Sequence, residues 1–283
     1  MKKIGFVDYY ISEWHADNYP GWIKETCKRM GLEYEVAYAW ALKDISEYNG
    51  KNTAQWCKEF GVEQCASAQE LCEKSDYIII LSPSNPEMHL ELVKATFPYA
   101  QGKRFYIDKT FAPDLATAKE IYALAEQYGI TFFSTSALRY ADEIKSHKDC
   151  ASAITFGGGG NFEEYIVHQA EMIVKTMGTN LARANTMNTE TGNDCLIAFE
   201  DGRVAEMHYD PSFGFRVVVQ QVGKKQCEEL QIASDFFNNL MRKIVLFFEG
   251  GEVDFGAEQT LAVMALREAV IKSKNNNGAW IEL

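Results

Sequence analysis

Short apolar runs and amphipathic stretches take turns along the first half of the chain. Ile4 to Asp8 is a compact apolar run that predicts a buried strand, and Asn18 to Met30 carries apolar residues at helical spacing. Pro20 fits that helix only in its first turn, where its missing N–H is not needed. Tyr34 to Ala39 predicts a second strand, and Thr53 to Phe60 and Ala68 to Lys74 predict two short helices. Tyr77 to Leu81 is apolar throughout, bounded by Asp76 and by Ser82-Pro83, and a strand apolar on both faces belongs to a covered parallel sheet. A helix from Pro86 to Phe97, a strand from Phe105 to Ile107, a helix from Asp114 to Tyr128 and a strand from Thr131 to Ser134 continue the series. Strands alternating with helices make right-handed βαβ units in a doubly wound sheet, whose ligands lie beyond the carboxyl ends of the strands. Here those ends are Asp8, Ala39, Leu81 and Ile107.

After about residue 138 the rhythm changes. The glycine run Gly157 to Gly160 precedes a helical stretch that reaches Met177. Cys195 to Phe199 and Val204 to Tyr209 then flank Glu200-Asp201-Gly202-Arg203, a hairpin signal. A strand from Phe215 to Val222 follows, and helices from Ser234 to Phe248 and Ala257 to Ser273 close the series. Strands grouped apart from helices imply a compact α+β domain with a mainly antiparallel sheet. The fold class is therefore α/β, with a doubly wound parallel sheet in residues 1–118 and the α+β domain in residues 119–283.

Composition narrows the function classes. The chain has 283 residues, 47% of them hydrophobic and 24% charged, which suits two domains with cores of their own. Its formal charge of −12 repels a nucleic-acid backbone, and no basic cluster offsets it. The longest apolar runs, Tyr77 to Leu81 and Ile244 to Phe248, fall far short of the roughly 18 residues that span a bilayer. The opening Met1-Lys2-Lys3 runs into strand-like residues without the apolar core of a leader, so the expectation is a cytoplasmic protein. The seven cysteines, Cys27, Cys57, Cys65, Cys72, Cys150, Cys195 and Cys227, are odd in number and scattered, which suits free thiols and no metal site.

Three side chains carry candidate chemistry. Lys109 follows the strand Phe105 to Ile107, where a lysine reaches the crevice that such sheets use for ligands. Glu164 and His168 stand four apart on the helix after the glycine run and so share a face. A carboxylate that orients an imidazole makes a general acid/base for a hydroxyl proton. Phe236-Phe237 and Phe247-Phe248 read as helix packing, and His147 and His208 as surface or sheet residues.

Several segments together resemble a known family. Ser82-Pro83-Ser84-Asn85-Pro86-Glu87-Met88-His89, Gly102-Lys103, Asp108-Lys109-Thr110 and Arg139-Tyr140 are similar, in order, to the motif series of the glucose-fructose oxidoreductase / inositol dehydrogenase (Gfo/Idh/MocA) family. Gly158-Gly159-Gly160 with Glu164, His168 and Glu171 resembles that family's second-domain series, and Gly250 to Ser273 resembles its final loop and helix. The resemblance implies a Rossmann-like first domain and an NAD- or NADP-dependent oxidoreductase of a sugar, cyclitol or related polyhydroxylated compound. It gives Lys109, Glu164 and His168 catalytic roles, with Glu164 holding the imidazole, and Lys109, Arg139 and His168 substrate contacts. It places Asp8, Tyr9, Tyr10, Ser82, Asn85, His89, Asp108 and Lys109 around the cofactor, with capping or packing as the other roles open to His89. It also implies a homo-oligomer formed through the second domain's sheet, no metal, and a small-molecule substrate. Beside the family pattern the segment Leu138 to Gly157 is short, which implies a trimmed second domain.

The first loop departs from the family. A Gly-x-Gly-x-x-Gly turn lets backbone approach a diphosphate at a helix N-terminus, yet here the loop reads Asp8-Tyr9-Tyr10-Ile11-Ser12-Glu13-Trp14. The acid that would bind the adenosine ribose is missing from the second strand, which ends at Tyr38-Ala39-Trp40 with Asp44 four residues on. The tyrosines are expected to fill part of the space a dinucleotide takes. Two other functions stay open: a redox-inactive member that binds a small ligand or partner, and a lyase or glycosidase that oxidises its substrate transiently. Lys109, Glu164 and His168 are expected to converge.

Overall fold

The computed structural model describes residues 1–283. They gather into two compact units, one made of Met1–Ala112, Ala116–Thr135 and Phe237–Asp254, the other of Pro113–Leu115, Ser136–Phe236 and Phe255–Leu283.

In the first unit, strands β1 (Lys2–Asp8), β2 (Tyr34–Ala41), β3 (Glu63–Gln64), β4 (Tyr77–Ile80), β5 (Arg104–Ile107) and β6 (Thr131–Ser134) form one sheet. Its order is β3-β2-β1-β4-β5-β6, with every neighbouring pair parallel. Helices α1 (Trp14–Met30), α2 (Thr53–Phe60), α3 (Ala68–Lys74), α4 (His89–Thr96) and α5 (Leu115–Tyr128) connect the strands. The central strands are apolar because both faces are covered, and Phe6, Ile78, Ile79, Ile80, Phe105 and Ile107 are fully buried. This is the doubly wound order that places a ligand crevice where the chain reverses direction, at the ends of β1 and β4. Beyond those ends, Leu81 N–H donates to Val7 O (2.8 Å) and Asp108 N–H to Ile80 O (2.9 Å), so the loops carrying the candidate residues start side by side.

Two sequence expectations are corrected here. α1 begins at Trp14 and not at Asn18, because Glu13 caps it, so Pro20 stands in the second turn. The boundary near residue 118 also moves. β6 pairs with β5 and extends the sheet to Ser134, and the chain returns to this unit with the greater part of helix α7 (Phe236–Phe248), expected in the second domain. Packing explains the return. Phe247 meets Phe133 edge-on at 5.0 Å, Phe248 stacks on Tyr77 at 4.5 Å, and Phe237 stacks on Trp22 at 4.6 Å. Arg104 donates to the Phe247 and Gly251 carbonyls, and Glu249 accepts from Lys2 and Tyr34.

The second unit holds β7 (Ser152–Gly157), α6 (Phe162–Met177), β8 (Leu181–Asn188), β9 (Asn193–Phe199), β10 (Val204–Tyr209), β11 (Arg216–Gln220), β12 (Cys227–Gln231), α8 (Ala257–Asn275) and β13 (Ile281–Glu282). Its sheet runs β12-β11-β7-β10-β9-β8-β13 and is antiparallel except for the β7–β10 pair. β7, β8, β12 and β13 escaped the sequence reading, and β7 lies within the segment read as short. One face of the sheet is buried with Ile166, Ala170, Ile173 and Val174 of α6 and Leu266 and Val270 of α8. The glycine run serves close packing: a Cβ on Gly158 would stand 1.9 Å from the Asp210 carbonyl oxygen, and Gly159 has a φ of +147°. All seven cysteines are free thiols.

Candidate functional site

In the first unit the expected residues lie on the loops beyond β1, β4 and β5. Lys109 is half-buried, with Nζ 3.4 Å from Ser84 Oγ. Ser82 Oγ accepts from Met88 N–H (3.0 Å), which closes the loop after β4, and Asn85 is exposed on that loop. His89 is fully buried, with Nδ1 2.5 Å from Glu87 Oε1.

Asp108 is buried beneath two phenols. Tyr19 Oη and Tyr106 Oη lie 3.0 and 2.9 Å from its Oδ1, and His15 Nε2 lies 3.7 Å from its Oδ2. Burial alone would raise this carboxyl, but His15, Lys109 and the two phenols outweigh it and hold the group below its ordinary value. Asp8 shows the reverse. It is fully buried, Oδ1 accepts only the Tyr9 N–H (2.7 Å), and Oδ2 has no hydrogen-bond partner. Burial first, and then the neighbouring Glu13 and Asp108, raise its carboxyl well above the ordinary range.

The loop between Asp8 and α1 is packed and pinned. Tyr10, Ile11 and Ser12 are buried, and burial followed by the Asp8 charge pushes the Tyr10 phenol up to about 12. The stretch after β2 clasps the loop: Leu42 N–H donates to Asp8 O, Lys43 N–H to Tyr9 O, Ser46 Oγ to Ser12 O and Asn49 Nδ2 to Ser12 Oγ. Tyr9 is half-buried, and its ring lies 5.7 Å from Lys43 Nζ.

In the second unit, α6 starts at Asn161, whose Oδ1 accepts the Glu164 N–H (3.0 Å), and carries Glu164, His168 and Glu171. His168 is half-buried between the edges of Tyr165 and Phe215, with Nδ1 2.7 Å from Ser136 Oγ. Ser136, which the sequence reading did not single out, thus holds the imidazole, the task expected of Glu164. Its hydroxyl also accepts from Leu138 N–H (3.2 Å), and its own N–H donates to Glu171 Oε2 (3.2 Å). Glu171 Oε1 pairs with Arg139 Nη1 (2.6 Å), while Arg139 also bonds Gln259 and stacks on Phe255. Arg139 is 3% exposed, so as placed its guanidinium is committed to this buried network.

Residues 27–136 match the family model Gfo/Idh/MocA, an oxidoreductase family with an NAD-binding Rossmann fold. No curated protein matches the chain by sequence. Among solved structures it is similar to the scyllo-inositol dehydrogenase of Lactobacillus casei with bound NAD(H) and scyllo-inositol, at 13% identity and a TM-score of 0.73, over 99% of this chain and 98% of that one. An Agrobacterium radiobacter oxidoreductase in complex with NAD+, L-tartaric acid and magnesium aligns at 13% identity and a TM-score of 0.75 over the same shares. An NAD-binding oxidoreductase from Klebsiella pneumoniae aligns at 11% identity and 0.74, again over 99% and 98%. At these identities the likeness is one of fold.

A nicotinamide dinucleotide would meet the loops after β1, β4 and β5. Those after β4 and β5 carry Ser82, Asn85, Asp108 and Lys109, which the resemblance in sequence assigns to the cofactor. The loop after β1 does not fit a diphosphate as it stands: it is filled by Tyr10, Ile11 and Ser12, and the α1 terminus already holds the Glu13 carboxylate, whose Oε1 accepts the Ala16 N–H at 2.6 Å. At the second strand, Asp44 is occupied with Thr53, whose N–H donates to its Oδ1 (3.2 Å).

Proposed function

We propose that this protein is an oxidoreductase of CH–OH groups on a sugar, cyclitol or related polyhydroxylated compound, with NAD or NADP as its cofactor. The observation that carries the reading is the held imidazole. A hydroxyl donates or accepts equally well, so Ser136 keeps its bond to His168 Nδ1 whichever protonation state the ring adopts. An imidazole held in this way can take a carbinol proton and give it back. Lys109, half-buried beside Ser84, supplies positive charge for the oxygen that develops as that proton leaves. A bound dinucleotide supplies the acceptor or donor of hydride. Arg139 and Glu171 act as positioning residues, since their ion pair fixes Ser136 through its N–H. The relatives solved with inositol or tartrate support a small polyhydroxylated substrate. A homo-oligomer through the second unit's sheet belongs to the same proposal, with Leu196 and Val204 exposed on strands β9 and β10.

A second reading, a redox-inactive member that binds a small ligand, is favoured by the filled loop after β1. Calorimetric titration with NAD(H) and NADP(H), beside mass spectrometry of what co-purifies, separates the two. Binding of either dinucleotide supports the oxidoreductase; its absence at millimolar concentration supports the second reading.

A further inference from the structure

The N-terminus of the helix after β1 is where a doubly wound sheet receives a diphosphate, because its N–H groups lack partners and its dipole favours an anion. In this chain that position holds an anionic side chain of its own. Glu13 is an extended N-cap with φ −145° and ψ 172°, and its carbonyl accepts the Asp17 N–H (2.9 Å). Its Oε1 takes the Ala16 N–H at 2.6 Å, and its Oε2 lies 3.1 Å from His15 Nδ1. Ser, Thr, Asp and Asn are the usual caps, so glutamate fills this place with more volume than capping requires. The side chain is 8% exposed, and residues 42–49 clasp the loop just before it, at Asp8, Tyr9 and Ser12. Beside it sits Asp8, fully buried with Oδ2 unpartnered.

We propose that Glu13 is an internal stand-in for the diphosphate: its carboxylate occupies the anion position at α1, and a dinucleotide binds there only by displacing it. The inference rests on the oxidoreductase reading for the identity of the dinucleotide, but not for the anion position. Displacement sets a competition between an intramolecular anion and a ligand of the same sign, which lowers affinity without altering the residues after β4 and β5.

The test compares the wild type with Glu13→Ser, which retains a short cap for α1 while removing the carboxylate, and with Glu25→Ser, which removes the same charge from an exposed position on the same helix. Binding of NADH and of inorganic pyrophosphate is measured by calorimetry and by quenching of Trp14, which is 43% exposed at the start of α1. Glu13→Ser is expected to bind pyrophosphate at least about tenfold more tightly than the wild type, and Glu25→Ser to match the wild type. Should Glu13→Ser fail to fold, Glu13→Gln, which can still accept the Ala16 N–H, is expected to gain severalfold. A gain for pyrophosphate without any NADH binding supports the internal anion and counts against the nicotinamide reading. Equal, tight NADH binding by all variants overturns the internal anion and leaves the nicotinamide reading standing. No gain for either ligand in a folded Glu13 variant also overturns it.

Discussion

Ser136 Oγ lies 2.7 Å from His168 Nδ1, and the same serine's N–H reaches Glu171 Oε2 at 3.2 Å. The imidazole is therefore held by a residue that is itself held. Ser136→Ala is expected to lower kcat about five- to tenfold, the worth of one hydrogen bond of about 1 kcal/mol, and to leave KM within about twofold. The pH profile of kcat should move as well, because the ring loses a partner, and Ser136→Thr should restore most of the rate. A kcat unchanged in Ser136→Ala would count against the proposed role of His168.

Arg139 and Glu171 form a buried ion pair, 3% and 4% exposed. Removing one member leaves a buried charge without its partner, which costs about 3–5 kcal/mol. Arg139→Met should therefore lower stability by about that amount in urea unfolding. A change under about 1 kcal/mol would mean that Glu171 finds another partner or water, and that the pair does not anchor Ser136.

Asp8 gives a pH dependence of definite sign. Its carboxyl is raised above the ordinary 3.8, by burial first and then by Glu13 and Asp108. Between 3.8 and the raised value the folded chain keeps a proton that the unfolded chain has released, so Asp8's contribution to stability falls as pH rises through this window. Asp8→Asn removes the titration and still offers an oxygen to the Tyr9 N–H. The Tm of Asp8→Asn minus that of the wild type should grow as pH rises above the ordinary 3.8, as followed by circular dichroism. A difference independent of pH would show that Asp8 does not titrate in the folded chain over that range.

The alternating order of strands and helices made the first sheet legible, because a covered parallel strand such as Tyr77 to Ile80 must be apolar on both faces. The return of α7 to that sheet was not legible. Its apolar face, with Leu240, Ile244 and Phe248, states that it packs but not against which sheet. β12 was missed because Cys227-Glu228-Glu229-Leu230-Gln231 is an edge strand with half-exposed or exposed side chains and little apolar alternation. At the candidate site, motif order is what singles out Lys109, Glu164 and His168. Ser136 was not, since its bond to His168 spans 32 positions and a serine after a strand carries no signal of such a partner. The acidic, glycine-free loop was visible in the sequence, but Glu13's place as the cap of α1 came only with the helix start at Trp14.

The claim that Lys109 and His168 serve oxidation of a carbinol is tested most directly by turnover of a panel of cyclitols and sugars with NAD+ or NADP+ at concentrations that saturate binding. The wild type should form carbonyl product and reduced nicotinamide in equal amounts with at least one substrate. With that substrate, Lys109→Met should be ~10²–10³-fold slower and His168→Asn ~10²–10⁴-fold slower. Saturated wild-type protein that forms no carbonyl product across the panel, or full rates in both variants, would contradict it.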